Sequence, residues 1–170
     1  MLLPLLVGGG VSVSLGVYGR LHTPSGIAVD LAGFSSPLAV KVWLACGAVL
    51  LAFVQLLSAL AMWRRLGGFS PSWAGTLHRW SGRLAFLLTV PVAMHCLYAF
   101  GLATYSPRVL IHSLLGCFFY GAFTAKMLLL PKKGLPGWTL PVLGGAVFTA
   151  LTGLWLSSSV WFFATNGVQF

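Results

Sequence analysis

The chain has almost no acidic side chains. Of its 170 residues only Asp30 is acidic, and charged residues of both signs make up 6%. A carboxylate pair for general acid–base hydrolysis, a carboxylate proton relay and an oxygen-lined site for a hard cation each need more than one acid. The composition therefore excludes these three kinds of function.

Cysteine is also scarce, and its spacing carries no motif. Cys46, Cys96 and Cys117 form neither C-x-x-C nor C-x-x-C-H, which excludes covalent c-type haem and gives no support to a zinc or dithiol site. All three fall in apolar segments and are interpreted as packing residues. A copper site that combines cysteine with His95, His112 and a methionine is the alternative.

Hydrocarbon dominates what remains. Hydrophobic residues make up 58% of the chain, and the mean hydropathy is +0.95. These values predict an integral membrane protein whose first partner is the lipid bilayer. The net charge of +9 is interpreted as basic loops beside anionic headgroups, and no nucleic-acid partner is expected because no such motif accompanies it.

The long apolar runs predict an all-α fold, an integral membrane bundle of about five transmembrane helices that forms one domain over residues 1–170. The expected spans are 2–19, 37–63, 80–103, 109–130 and 138–163. The consecutive glycines within these spans, Gly8 to Gly10 and Gly144 with Gly145, are expected to form helix contacts rather than phosphate loops.

The basic residues predict the orientation. Most of them fall near the ends of spans two to five that share one side: Arg64, Arg65, Arg79, Arg83, Lys126, Lys132 and Lys133. Arg20, Lys41 and Arg108 fall on the other side. The positive-inside rule then places the amino terminus in the cytoplasm and the chain in the inner (plasma) membrane of a cell.

Three histidines at equal spacing, His78, His95 and His112, are the strongest indication of function. Ionisable residues within membrane spans are functional by default, and neutral imidazole binds haem iron. Spans three and four are expected to form an antiparallel hairpin with its turn at Thr104 to Pro107. This turn would bring His95 and His112 to nearly equal depth, as two axial ligands of one haem b require. His78 lies about 25 Å away along the helix axis, so it cannot share that haem. It is either an interfacial residue or a ligand of a second one.

The run from Leu77 to Phe86, followed by His95-Cys96-Leu97-Tyr98, resembles the haem-bearing helix of ferric-reductase-like transmembrane cytochromes b. The interval between the two histidines is longer here. With the run from Ile111 to Gly121, the whole chain looks similar to a family of small bacterial membrane proteins with three histidines. The resemblance implies His78 and His95 as ligands, and Arg79 and Arg83 as partners of the haem propionates.

Together these features predict a b-type cytochrome-like electron-transfer or anchor subunit that exchanges electrons with quinol or with partner redox subunits. With no room for a flavin or nicotinamide domain, the protein would at most be one subunit of an oxidoreductase complex. The alternative is a redox-inert scaffold, or a carrier of a small solute or of copper.

Overall fold

Helices account for nearly all the regular structure of the protein. A computed structural model describes residues 1–28 and 30–170. The helices are α1 (Leu2–Leu21), α2 (Pro37–Met62), α3 (Ala74–Met94), α4 (Pro107–Leu129), α5 (Thr139–Trp155) and α6 (Trp161–Asn166). A π-helical segment, His95–Phe100, continues α3, and a second one, Leu156–Val160, joins α5 to α6.

Within the described residues, five continuous helical segments are long and apolar enough to cross a membrane. The predicted all-α bundle is thus confirmed. The third segment begins at Ala74 rather than at the predicted residue 80, and the fifth ends at Asn166 rather than at the predicted residue 163.

Two helices begin with the same dipeptide. Ser36 precedes Pro37 at the start of α2, and Ser106 precedes Pro107 at the start of α4. Each serine side chain accepts a hydrogen bond from the backbone N–H three residues later. Serine satisfies a free donor, and proline at the first helical position needs no donor itself, so both starts are fixed locally.

The distribution of side-chain sizes is that of a membrane bundle. The buried core consists mostly of alanines, among them Ala39, Ala48 and Ala150, whereas Leu2, Leu50 and many other large apolar side chains lie exposed on the outside. Small residues let membrane helices approach closely, and lipid covers the large ones. The protein is therefore a multi-pass membrane protein.

The helix order in space differs from the chain order. α2 packs against α3, and α4 packs against α1 and α5. α3 and α4 follow each other in sequence, yet they are not one of the closely packed pairs among the described residues. One end of the bundle, called the Lys41 end, is where α2 and α4 begin. The other is called the His78 end.

One glycine gives α1 its place. An added Cβ on Gly8 would lie 2.9 Å from the Cβ of Ala125 on α4, whereas Gly9 and Gly10 have open space around them. Successive helical residues point about 100° apart, so one of three consecutive glycines faces the partner. The expected contact is confirmed for Gly8. It is wrong for Gly9, Gly10, and for Gly144 and Gly145, which are also free of neighbours.

Candidate functional site

Two adjoining cavities lie inside the Lys41 end. The inner one, of about 100 Å³, has walls from α1 to α5 and reaches Tyr120. The outer one, of about 360 Å³, reaches Lys41 and Arg108. His112 and Cys96 belong to both walls, so the two cavities are neighbours between α3 and α4; together they are called the cavity. The outer cavity alone is within the size range of small-molecule sites, about 300–1,000 Å³.

His112 projects into this space from α4 in a fixed orientation. Its Nδ1 lies 2.9 Å from the Ser157 hydroxyl oxygen. That hydroxyl donates its single proton to the backbone carbonyl of Gly153, 2.7 Å away, so it accepts from the imidazole. The proton of a neutral His112 is thereby held on Nδ1. Nε2 keeps its lone pair, which is the arrangement typical of a metal-binding histidine.

Ser157 is positioned by the π-helical segment in which it lies, Leu156–Val160. Such wider turns in α-helices are frequent at functional sites. The other π-helical segment, His95–Phe100, borders the same space through Cys96 and Phe100. It follows Pro91, whose missing N–H already interrupts the hydrogen bonds of α3.

His95 is almost completely buried, with 3% of its surface exposed, and its Nε2 has no hydrogen-bond partner. Leaving a polar atom in this state costs free energy, about 1–3 kcal/mol. His95 is not in either cavity wall as the structure describes them. Its ring centroid lies 5.0 Å from that of Phe100, which is in the outer wall. His95 therefore lies beside the cavity, one side chain removed from it.

His78 lies at the other end of the bundle. Its Nδ1 is 2.9 Å from the hydroxyl oxygen of Ser58, which also lies 2.7 Å from the Val54 carbonyl. The backbone carbonyl of His78 accepts a hydrogen bond from the Gln55 side chain. These contacts join α2 to α3. His78 lies near the start of α3 and His95 directly after its end, so the two histidines are at opposite ends of this helix.

The arginines implied by the resemblance are not brought to the cavity. Arg79 donates to Thr76 across 3.1 Å, and Arg83 lies with its guanidinium carbon 5.0 Å from the Trp80 ring centroid; both are exposed at the His78 end. The cations in the cavity wall are instead Lys41 and Arg108. A lysine inside a predicted span is itself a functional signal, and it could have drawn attention to Lys41 from the sequence.

The cysteines are spread through the bundle. Cys46 lies 3.2 Å from the Trp155 indole nitrogen, Cys117 is buried, and Cys96 is in the cavity wall. Over residues 1–28 and 30–170, no three His, Cys, Asp or Glu side chains are grouped in a way that could hold a metal ion. A copper site built from protein ligands alone has no support from this arrangement.

His22, expected to be an ordinary loop residue, is held in place. Its ring stacks between those of Tyr18 and Tyr98, with centroid separations of 5.0 Å on each side, and its Nε2 lies 3.0 Å from the Tyr98 carbonyl oxygen. It joins the end of α1 to the π-helical segment that continues α3, and it does not line the described cavities.

The residues at the Lys41 end fit a haem in their donor chemistry. His112 lines the cavity with its Nδ1 bonded to Ser157, His95 beside the cavity holds a buried nitrogen without a partner among the described residues, and most of the wall is apolar. Iron in haem takes imidazole as its axial ligand and needs only two protein ligands. The absence of a larger ligand cluster in the described residues is therefore compatible with this cofactor.

The fold defines a multi-pass helical membrane protein with a cavity between two histidine-bearing helices. The chain belongs to the family of unknown function DUF6529, which it matches over residues 1–170. No curated protein matches it, and neither does any solved structure.

Proposed function

We propose that this protein is a b-type cytochrome-like electron-transfer or anchor subunit, with a haem held by His112 and His95. The observation that carries the proposal is the state of the two imidazoles at the Lys41 end. Ser157 leaves Nε2 of His112 unprotonated, and Nε2 of His95 is buried without a partner. Coordination of the same iron by His95 would remove the cost of that unpaired nitrogen.

The chain's own residues account for the environment of such a haem. Ser157 orients His112, and the mostly apolar wall of the inner cavity would limit the access of water to a bound haem. For His95 to reach the cavity, the ring of Phe100 or the His95 side chain has to rotate, since His95 now lies beside the wall. When bound, haem would supply the one-electron chemistry.

The electrons would come from membrane quinol or from a partner redox subunit, with the protein in the inner membrane of a cell and its amino terminus in the cytoplasm. The excess of basic residues at the His78 end supports this orientation. The competing proposal is a redox-inert scaffold, in which the buried His95 nitrogen would stay unpaired like the hydroxyls of Thr139 and Thr152.

The test is the absorption spectrum of the detergent-purified protein made with ample haem. We expect a low-spin, six-coordinate haem b, lost in His95→Ala and in His112→Ala. His22→Ala is the control, because His22 lies outside the cavity. A folded wild-type protein with no Soret band contradicts the proposal. A wild-type spectrum in His95→Ala or His112→Ala shows that the wrong pair was chosen.

A further inference from the structure

The outer cavity is positively charged and has no acid in its wall. Lys41 from α2 and Arg108 from α4 both line it. The only acidic residue of the chain, Asp30, lies in the loop between α1 and α2 and is not in the wall. Lys41 and Arg108 are half-buried. Two such cations without a carboxylate among the described wall residues attract an anion, because pairing offsets the cost of taking part of their charge out of water.

The ends of two long helices add to this charge. Leu38 in the first turn of α2 and Val109 in the first turn of α4 are both in the outer wall. The aligned peptide dipoles place roughly half a positive charge at the start of each helix. Helix charge and side-chain charge have the same sign here, so they act together on one ligand group.

Arg108 is also held in place. Its guanidinium carbon lies 3.8 Å from the centroid of the Trp161 ring, and one of its nitrogens donates to the Ser157 carbonyl. The guanidinium has five N–H donors, so others stay free for an anion. Lys41 has its ammonium group 5.8 Å from the centroid of the Phe100 ring. Both cations thus stand against aromatic rings of the wall.

We propose that Lys41 and Arg108 bind the carboxylate groups of an otherwise apolar ligand in the cavity. This inference rests on the proposed function, in which the carboxylates are the propionates of the haem. It replaces Arg79 and Arg83, which lie at the opposite end of the bundle, in that role. Paired carboxylates match a guanidinium and an ammonium, each of which forms charge-assisted hydrogen bonds.

The test compares the binding of haem with that of haem dimethyl ester, in which both carboxylates are masked. We expect the wild-type protein to bind haem at least about tenfold more tightly than the ester, the effect of one modest charged contact. The double variant Lys41→Gln, Arg108→Gln should bind both at the level of the ester. The charge-preserving pair Lys41→Arg, Arg108→Lys should keep the preference for haem.

Two further measurements make the outcome decisive. Arg64→Gln, Lys132→Gln, which removes two exposed cations at the His78 end, should leave both affinities unchanged. Unaltered binding of the ester shows that the double variant folds. Equal affinities of the wild-type protein for haem and ester would overturn the carboxylate site while leaving the haem in place.

A last arm applies if neither compound binds, a result that would overturn the proposed function. A fluorescent fatty acid and its methyl ester are then titrated against the same proteins. Preference of the wild-type protein for the acid, lost in the double variant, would support a carboxylate site without haem. No preference would overturn this inference too.

Discussion

The Ser157 hydroxyl accepts a hydrogen bond from His112 across 2.9 Å and so decides which ring nitrogen is free. Ser58 stands in the same relation to His78, also at 2.9 Å. Both serines donate their own proton to a carbonyl four residues earlier in their helix. A serine thus holds a histidine at each end of the bundle. Of these two histidines, only His112 lines one of the described cavities.

Ser157→Ala should weaken haem binding about tenfold or more, the usual cost of losing the hydrogen bond that orients a metal-binding histidine. The imidazole would then be free to rotate and to move its proton to Nε2. The measurement is a haem titration of the purified variant. Ser58→Ala is the matched control, since it removes the same contact from His78. Equal losses in both variants would mean that the serine acts on folding alone.

His78→Ala should leave the spectrum of the haem at the Lys41 end unaltered, because the two sites lie at opposite ends of the bundle. Haem-to-protein stoichiometry decides the role of His78. One haem makes it a residue that joins α2 to α3, and two haems with one lost in the variant make the protein an electron path across the membrane. Loss of the only haem in a folded His78→Ala protein would contradict the assigned depths.

Labelling of single cysteines in the loops should place residues 64–73 and 131–137 in the cytoplasm and residues 22–28 and 102–105 outside. The physical reason is the attraction of the basic His78 end to the cytoplasmic side. A cysteine-free background is needed, since the native chain has three cysteines. Labelling of residues 131–137 from outside would reverse the orientation of the whole bundle and the side of the haem.

Gly121→Ala should destabilise the bundle by about 1–3 kcal/mol, the usual cost of overpacking. A Cβ on Gly121 would collide with the Gly8 carbonyl and the Ser12 side chain. Gly10→Ala, at a position with open space, should be neutral or stabilising. Thermal unfolding of both variants in one detergent measures the difference. Equal stability of the two variants would show that α1 does not depend on this contact.

The sequence predicted the helices well, because the hydropathy of a segment is a local property. It predicted the neighbours of α3 and α4 poorly. The turn between Thr104 and Pro107 predicted that α3 and α4 form a hairpin of adjacent helices. In the structure, a cavity with walls from all five long helices lies between them. Such spacing is set by tertiary packing, which no local pattern records.

Some residues of the candidate site were likewise predicted from the sequence, and others were not. The histidines were visible in the sequence because an imidazole is rare inside a membrane span. Ser157 and Arg108 were not, because serine is common in membrane helices and Arg108 stands where a loop charge is ordinary. Their roles depend on the contact of α4 with the last π-helical segment, which lies 45 to 49 residues further along the chain.

The partnership of α1 with α4 sets an order for biogenesis. Ser12 donates to the Cys117 carbonyl, a residue 105 positions later, so α1 leaves the ribosome long before its partner exists. Until α4 enters the bilayer, Gly8 and Ser12 of α1 lack the helix against which they pack. The cavity has walls from α1 to α5, so it is complete only when the fifth long helix arrives, and a cofactor can be enclosed only after that step.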